Sequence, residues 1–176
     1  TIPFAAVSTE FRPALSEQYV AWVDDLDGEK IWYYDLAAEE IAGAVTTIQA
    51  IQSWPSLSGS LIAWEDYRHG SGNPEIYMTD LDNPSGGEQR ITNDSGYQVS
   101  PSISENFIAW EDMRDGGRRS IYMYDLARGE EMSVFVPEDI YDEQLYPAAS
   151  GNTIVWQRGM SPNSNLYILV YDPAAA

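Results

Sequence analysis

Apolar and polar positions recur along this chain in a phrase written four times. Its clearest copy is Pro101-Ser-Ile-Ser-Glu-Asn-Phe-Ile-Ala-Trp-Glu-Asp, and the other copies begin at Pro13, Pro55 and Pro147. Each reads as a short strand, a tight turn and a second strand. Gly59-Ser60 and Gly151-Asn152 suit a type II′ hairpin, because glycine is free to take the positive φ at the first turn position. The four prolines and the tryptophans Trp22, Trp64, Trp110 and Trp156 share spacings of 42, 46 and 46 residues. A period of that size marks a repeat architecture.

A second phrase follows each tryptophan: Ile31-Trp-Tyr-Tyr-Asp-Leu, Ile76-Tyr-Met-Thr-Asp-Leu, Ile121-Tyr-Met-Tyr-Asp-Leu and Ile168-Leu-Val-Tyr-Asp-Pro. A weaker strand comes next, as in Gln89-Arg-Ile-Thr or Met132-Ser-Val-Phe-Val. Four antiparallel strands per period of about 45 residues describe a propeller blade. In Phe107-Ile-Ala-Trp-Glu-Asp both faces of the strand are apolar, whereas a sheet with one wet face would alternate. A blade has a neighbour on each side, so its inner strands lose both wet faces. The tryptophans and prolines are therefore expected as structural anchors, with the alanine beside Trp22, Trp64 and Trp110 giving room for a ring of the next blade.

The predicted fold is an all-β propeller of four blades in a single domain over residues 1–176. The blades lie at about 13–54, 55–100, 101–146 and 147–172, the last completed by a strand from residues 1–12. Such a latch would remove the open edge of an incomplete sheet. Two other arrangements fit the letters: half of an eight-bladed homodimer, and a fragment of a larger propeller.

Charge changes the picture more than hydrophobicity does. The 176 residues carry 28 Asp and Glu against 9 Lys and Arg, with Lys30 the one lysine. A surface this negative repels phosphate backbones, so nucleic acid is not an expected partner. No stretch approaches 18 apolar residues, so no membrane insertion is expected. There is no cysteine, which excludes disulfides, thiolate metal ligands and a thiol nucleophile. His69 is the one histidine and no Gly-x-Ser-x-Gly elbow is present, which argues against a serine hydrolase. Glycoside chemistry needs only two carboxylates, but here the acids recur at matched repeat positions such as Asp35, Asp80, Asp125 and Asp172.

Two sets of polar residues are candidate sites. Glu10, Gln52, Gln98 and Gln144 each stand three residues before a repeat proline, where a ring of them would form a binding rim at one end of a central channel; the same residues would equally satisfy backbone groups in the crossover between blades. Asp25, Asp27 and Glu29 lie on a short acidic loop that is a weak candidate for Ca²⁺, since calcium takes several carboxylate oxygens from one turn. Counted from Asp25, the loop lacks the glycine and glutamate an EF-hand requires, and a tight Asp27-Gly28 turn explains the same letters. Asp66 and Asp112, in Trp-Glu-Asp-x-Arg, are expected to pair with Arg68 and Arg114.

The repeat Pro-x-(Ile/Leu)-Ser-x-x-x-Ile-Ala-Trp-Glu-Asp-x-Arg followed by Ile-Tyr-Met-Tyr-Asp-Leu resembles the TolB-like β-propeller repeats, above all the tandem repeats of archaeal and bacterial cell-surface proteins. The resemblance covers about residues 10–172. It implies an extracellular, cell-surface or periplasmic module that binds a protein or a glycan, is not an enzyme and needs no cofactor. Two alternatives stand beside it: a carbohydrate-active enzyme using Asp and Glu, and a Ca²⁺-dependent structural surface protein.

Overall fold

A computed structural model describes residues 10–25, 28–134, 143–159 and 164–172, with Glu10 described in its backbone alone. The fold is all-β, in four antiparallel sheets. The first holds β1 (Glu10–Leu15), β2 (Tyr19–Asp24), β3 (Lys30–Asp35) and β4 (Glu40–Ala44). The second holds β5 (Gln52–Ser58), β6 (Leu61–Asp66), β7 (Glu75–Asp80) and β8 (Gln89–Arg90). The third holds β9 (Gln98–Ile103), β10 (Phe107–Asp112), β11 (Ser120–Asp125) and β12 (Glu130–Ser133). Among the described residues the fourth has three strands, β13 (Gln144–Ser150), β14 (Thr153–Arg158) and β15 (Asn165–Val170). In every sheet the strands pair in chain order.

The hairpins follow the local chemistry. Gly59 and Gly151 take φ of 57° and 54° at the first turn position, a region that costs glycine nothing. The first and third repeats lack that glycine and use serine: Ser16 Oγ accepts the N–H groups of Gln18 and Tyr19, and Ser104 Oγ those of Asn106 and Phe107.

The core is three seams between consecutive sheets. In the first, Ala21, Val23 and Ile31 meet Ile62, Trp64 and Leu81. In the second, Ala63, Ile76 and Met78 meet Ile103, Ile108 and Trp110. In the third, Ala109, Ile121 and Met123 meet Ile154, Trp156 and Tyr171. Each seam sets the tryptophan of one sheet against the alanine of the sheet before it. Every residue of β10 is buried, as a strand covered on both faces must be. Trp22, Trp64, Trp110 and Trp156 are all buried, and the last three stack on Tyr77, Tyr122 and Tyr167 across the strand pair.

Strand pairing also fixes which residues are equivalent. Trp22, Trp64, Trp110 and Trp156 pair with Trp32, Tyr77, Tyr122 and Tyr167. The partner of Ile31, Ile76 and Ile121 in the fourth sheet is therefore Leu166, and not Ile168 as the letters suggest; Val170 stands where Asp35, Asp80 and Asp125 stand, so Asp172 is not their equivalent.

The sheets pack as a row, first on second, second on third and third on fourth, and no packing of like extent joins the first to the fourth among the described residues. This is the arrangement of a section of a larger propeller. Of the segment expected to complete the last sheet, residues 1–9 lie outside the described residues, and residues 10–12 belong to β1, paired with β2 of the first sheet.

Candidate binding surface on the inner strands

The first strands of the four sheets, β1, β5, β9 and β13, stand next to one another along one side of the row. Serines of the repeat phrase tie them: Ser56 Oγ accepts the Ile103 N–H at 3.1 Å, and Ser102 Oγ the Ala149 N–H at 2.8 Å. Each of these strands breaks register with its partner where the repeat proline falls. Proline brings no N–H to the ladder, and a bulge is where a sheet accommodates that loss and re-aims a side chain.

The residue before each proline carries the distortion. Arg12, Trp54, Ser100 and Tyr146 have φ of 53°, 49°, 55° and 55°, the left-handed region that costs a residue with a β-carbon roughly 1–2 kcal/mol. Glycine would take this conformation freely, yet none of the four is glycine. Trp54 is 49% exposed and Tyr146 64% exposed, both unusual for residues of their size. The Arg12 guanidinium lies 4.7 Å from the centre of the Trp54 ring, so neighbouring bulges touch from one sheet to the next.

The sheets brace these bulges from beneath. The displaced N–H of Ser100 reaches Glu65 Oε1 at 2.7 Å, and that of Tyr146 reaches Glu111 Oε1 at 2.8 Å. Both glutamates are buried; burial raises their pKa, and the two N–H bonds offset it only in part. A carboxyl raised in the folded state holds its proton more tightly there than in the unfolded chain, so stability from this source rises as pH falls from the folded pKa toward the ordinary value of about 4.3. Glu65→Gln keeps an acceptor for Ser100 and removes the charge. It is expected to raise the urea midpoint at pH 7 and to change it less at pH 4, and equal effects at both would exclude the buried charge as the cause.

The next residue along, aspartate in the second and third sheets, has a structural task. Asp66 accepts bonds from Trp64 Nε1 at 3.0 Å, Arg68 Nε at 2.8 Å and Arg68 Nη2 at 2.7 Å, and Asp112 holds Trp110 and Arg114 in the same way. Each arginine then lies over a tyrosine, Arg68 on Tyr77 and Arg114 on Tyr122. In the fourth sheet Arg158 occupies the aspartate position and reaches Tyr167 directly.

The glutamines expected on an open rim are buried instead. Gln52 Oε1 accepts the Ile31 N–H and Gln144 Oε1 the Ile121 N–H, so each ties its sheet to the sheet before. This corrects the rim for Gln52, Gln98 and Gln144: the solvent-facing position is two residues later, at the bulge. Gln98 is buried too, with no hydrogen bond to its amide, because the Ile76 N–H that would match is taken by Thr92 Oγ1 at 2.8 Å. The side chain of Glu10 lies outside the described residues.

Of the acidic loop, Asp25 is exposed, Glu29 is half-buried and Asp27 lies outside the described residues. Among the described residues no three His, Asp or Glu side chains converge as a metal would require. The repeat acids Asp35 and Asp125 each accept two N–H groups of the turn that follows, and Asp80 accepts one. His69 Nε2 lies 2.8 Å from the Tyr77 hydroxyl. Among the described residues no helix is long and apolar enough to cross a membrane.

No family model matches the chain, and no curated protein matches it. Solved structures do. TolB from Acinetobacter baumannii superposes with a TM-score of 0.71 at 22% identity, over 94% of this chain and 42% of that one. A putative TolB from Agrobacterium tumefaciens gives a TM-score of 0.65 at 16% identity, over 87% and 57%. The β-propeller domain of the Trilobed protease from Pyrococcus furiosus, described as an open velcro topology, gives 0.63 at 17%, over 92% and 54%. The chain thus spans less than two thirds of each of these structures. At these identities the likeness speaks for architecture: the four sheets have the β-propeller fold, similar to that of TolB.

Proposed function

We propose that this protein is a non-catalytic propeller module of the cell surface, extracellular space or periplasm, and that the inner-strand bulges are its docking surface for another protein or a glycan. One observation carries the reading. Four positions in a conformation that favours glycine hold Arg12, Trp54, Ser100 and Tyr146 instead, with the tryptophan and the tyrosine turned to solvent. Backbone strain of this kind clusters where side chains are held for use, and exposed aromatics beside an arginine are the residue types that anchor interfaces and stack on sugars. The likeness to TolB supports a binding role. The likeness to a protease's propeller domain is compatible with it.

The experiment is a binding comparison between the wild type and the double variant Trp54→Gly, Tyr146→Gly, with envelope proteins and bacterial polysaccharides as separate arms. Glycine relieves the strain, so the variant is expected to melt no lower than the wild type while losing the species the wild type retains. Equal retention by both would overturn the assignment.

A further inference from the structure

One backbone bond recurs in all three seams: the Gln52 N–H donates to the Glu29 carbonyl, the Gln98 N–H to that of Pro74 and the Gln144 N–H to that of Arg119. The three glutamines thus enter their seams alike, yet their side chains do not act alike. Gln52 Oε1 accepts the Ile31 N–H at 3.3 Å and Gln144 Oε1 the Ile121 N–H at 2.9 Å. In the second seam Thr92 Oγ1 holds the matching Ile76 N–H at 2.8 Å, and the Gln98 amide is buried without a hydrogen bond.

Thr92 has a counterpart in the crossover from the first sheet to the second. Val45 and Ile91 each donate an N–H, at 2.8 Å, to the carbonyls of Ile31 and Ile76, so the residues that follow them, Thr46 and Thr92, are equivalent. Both are buried. Thr46 Oγ1 accepts the Ile48 N–H at 3.1 Å and leaves the Ile31 N–H to Gln52. The same threonine and glutamine pair therefore stands in two arrangements within one molecule. Beside them the residue before the isoleucine differs: it is Glu75 in the second sheet and Lys30 in the first, opposite Asp66 and Asp24 in register. The Thr92 hydroxyl donates to Glu75 Oε2 at 2.6 Å, a bond that lysine, with no acceptor, does not offer. The equivalent residue of the third sheet, which follows Val134, lies outside the described residues.

We propose that the crossover from the second sheet to the third is a two-state device, in which Thr92 and Gln98 exchange the Ile76 N–H. In the observed state Thr92 holds that N–H and Glu75 holds Thr92. In the other, Thr92 Oγ1 turns to the Asp94 N–H, as Thr46 does to that of Ile48, and Gln98 Oε1 takes the Ile76 N–H, as its two counterparts do. The buried N–H has an acceptor in both states, so the crossover turns without stranding backbone. Glu75 keeps Asn73 Nδ2 and Arg90 Nη2 in both. The exchange joins two places: Asp94 pairs with Arg114 at 2.8 Å, and Gln98 opens β9, two residues before the bulge at Ser100. A ligand that favours one arrangement of the crossover therefore shifts the start of that inner strand with it. The device does not rest on the docking reading, and its test uses no ligand.

Amide hydrogen exchange of the whole chain, read at Ile76 against Ile121 in the same sample, separates local release from global opening. Thr92→Val removes the hydroxyl and keeps the branched shape, and Gln98→Leu removes the reserve acceptor. Each single variant is expected to keep the Ile76 exchange rate within about threefold of the wild type, and the double variant to exchange at least about thirtyfold faster. A crystal structure of Thr92→Val is expected to place Gln98 Oε1 about 3 Å from the Ile76 nitrogen. A Thr92→Val variant that exchanges as fast as the double variant, or whose Gln98 stays away from Ile76, overturns the proposal. So does full acceleration by Gln98→Leu alone.

Discussion

Trp110→Ala is expected to lower the stability of the folded chain by about 4 kcal/mol, within the 3–5 kcal/mol typical of deleting a buried tryptophan. Trp110 is fully buried in the second seam, where it lies with Ala63 and Ile76 of the sheet before. Its ring stacks on Tyr122 at 6.3 Å, and its Nε1 donates to Asp112 at 2.9 Å. Alanine leaves a void between two sheets whose backbones are held by ladders and cannot collapse into it. Against a total of about 5–15 kcal/mol for a domain, such a loss approaches global unfolding. Urea denaturation followed by fluorescence measures it. Trp54→Ala, in contrast, removes a half-exposed ring and is expected to cost less than about 1 kcal/mol. If the two variants destabilise equally, the seams are not the core.

Asp66→Ala is the second large effect, about 3 kcal/mol, at the lower end of the 3–5 kcal/mol lost when one partner of a buried ion pair is removed. The carboxylate satisfies Trp64 Nε1, Gln52 Nε2 and the Arg68 side chain and N–H, all of which alanine strands. Arg68 keeps Glu88 at 2.6 Å and its place over Tyr77, which places the cost at the lower end of the range. Burial by itself would raise the pKa of Asp66; the hydrogen bonds from Arg68 and Trp64 outweigh it and hold the carboxyl below the ordinary range. Stability from a lowered pKa is present above the unfolded value of about 3.9 and is lost as pH falls through the folded one. The gap between wild type and variant is therefore expected to narrow below about pH 4. A gap that stays constant down to the acid transition would mean that packing, and not charge, sets the cost.

The repeat made the fold legible, because strands covered on both faces and spaced by one period leave few arrangements. Register in the last repeat was harder to read. Sliding β15 by two residues returns every side chain to the same face, so alternation cannot separate Leu166 from Ile168, and only the pairing of Tyr167 with Trp156 decides. The proposed docking surface lies away from the expected rim for a related reason. A bulge breaks alternation, so counting from the proline put the open position at Gln52 and Gln144, when the bulge turns Trp54 and Tyr146 outward. A trace of this does lie in the letters: before a constant proline the residue changes from Arg to Trp to Ser to Tyr, while the residue two positions earlier is Glu or Gln in every copy. The aspartate brace was readable throughout, since Trp-Glu-Asp-x-Arg places a guanidinium two residues from a carboxylate.

Because, among the described residues, each sheet leans on the one before and the one after, they form a short one-dimensional stack. Opening then begins at an outer sheet, which surrenders one seam, and moves inward, while a central sheet surrenders two. Amide deuteration of the intact chain should grade along the sequence, fastest in the three-stranded sheet at Gln144–Val170 and slowest in β6 and β10. A force applied to the two ends would peel the sheets off singly, like pages lifted from one edge of a bound block.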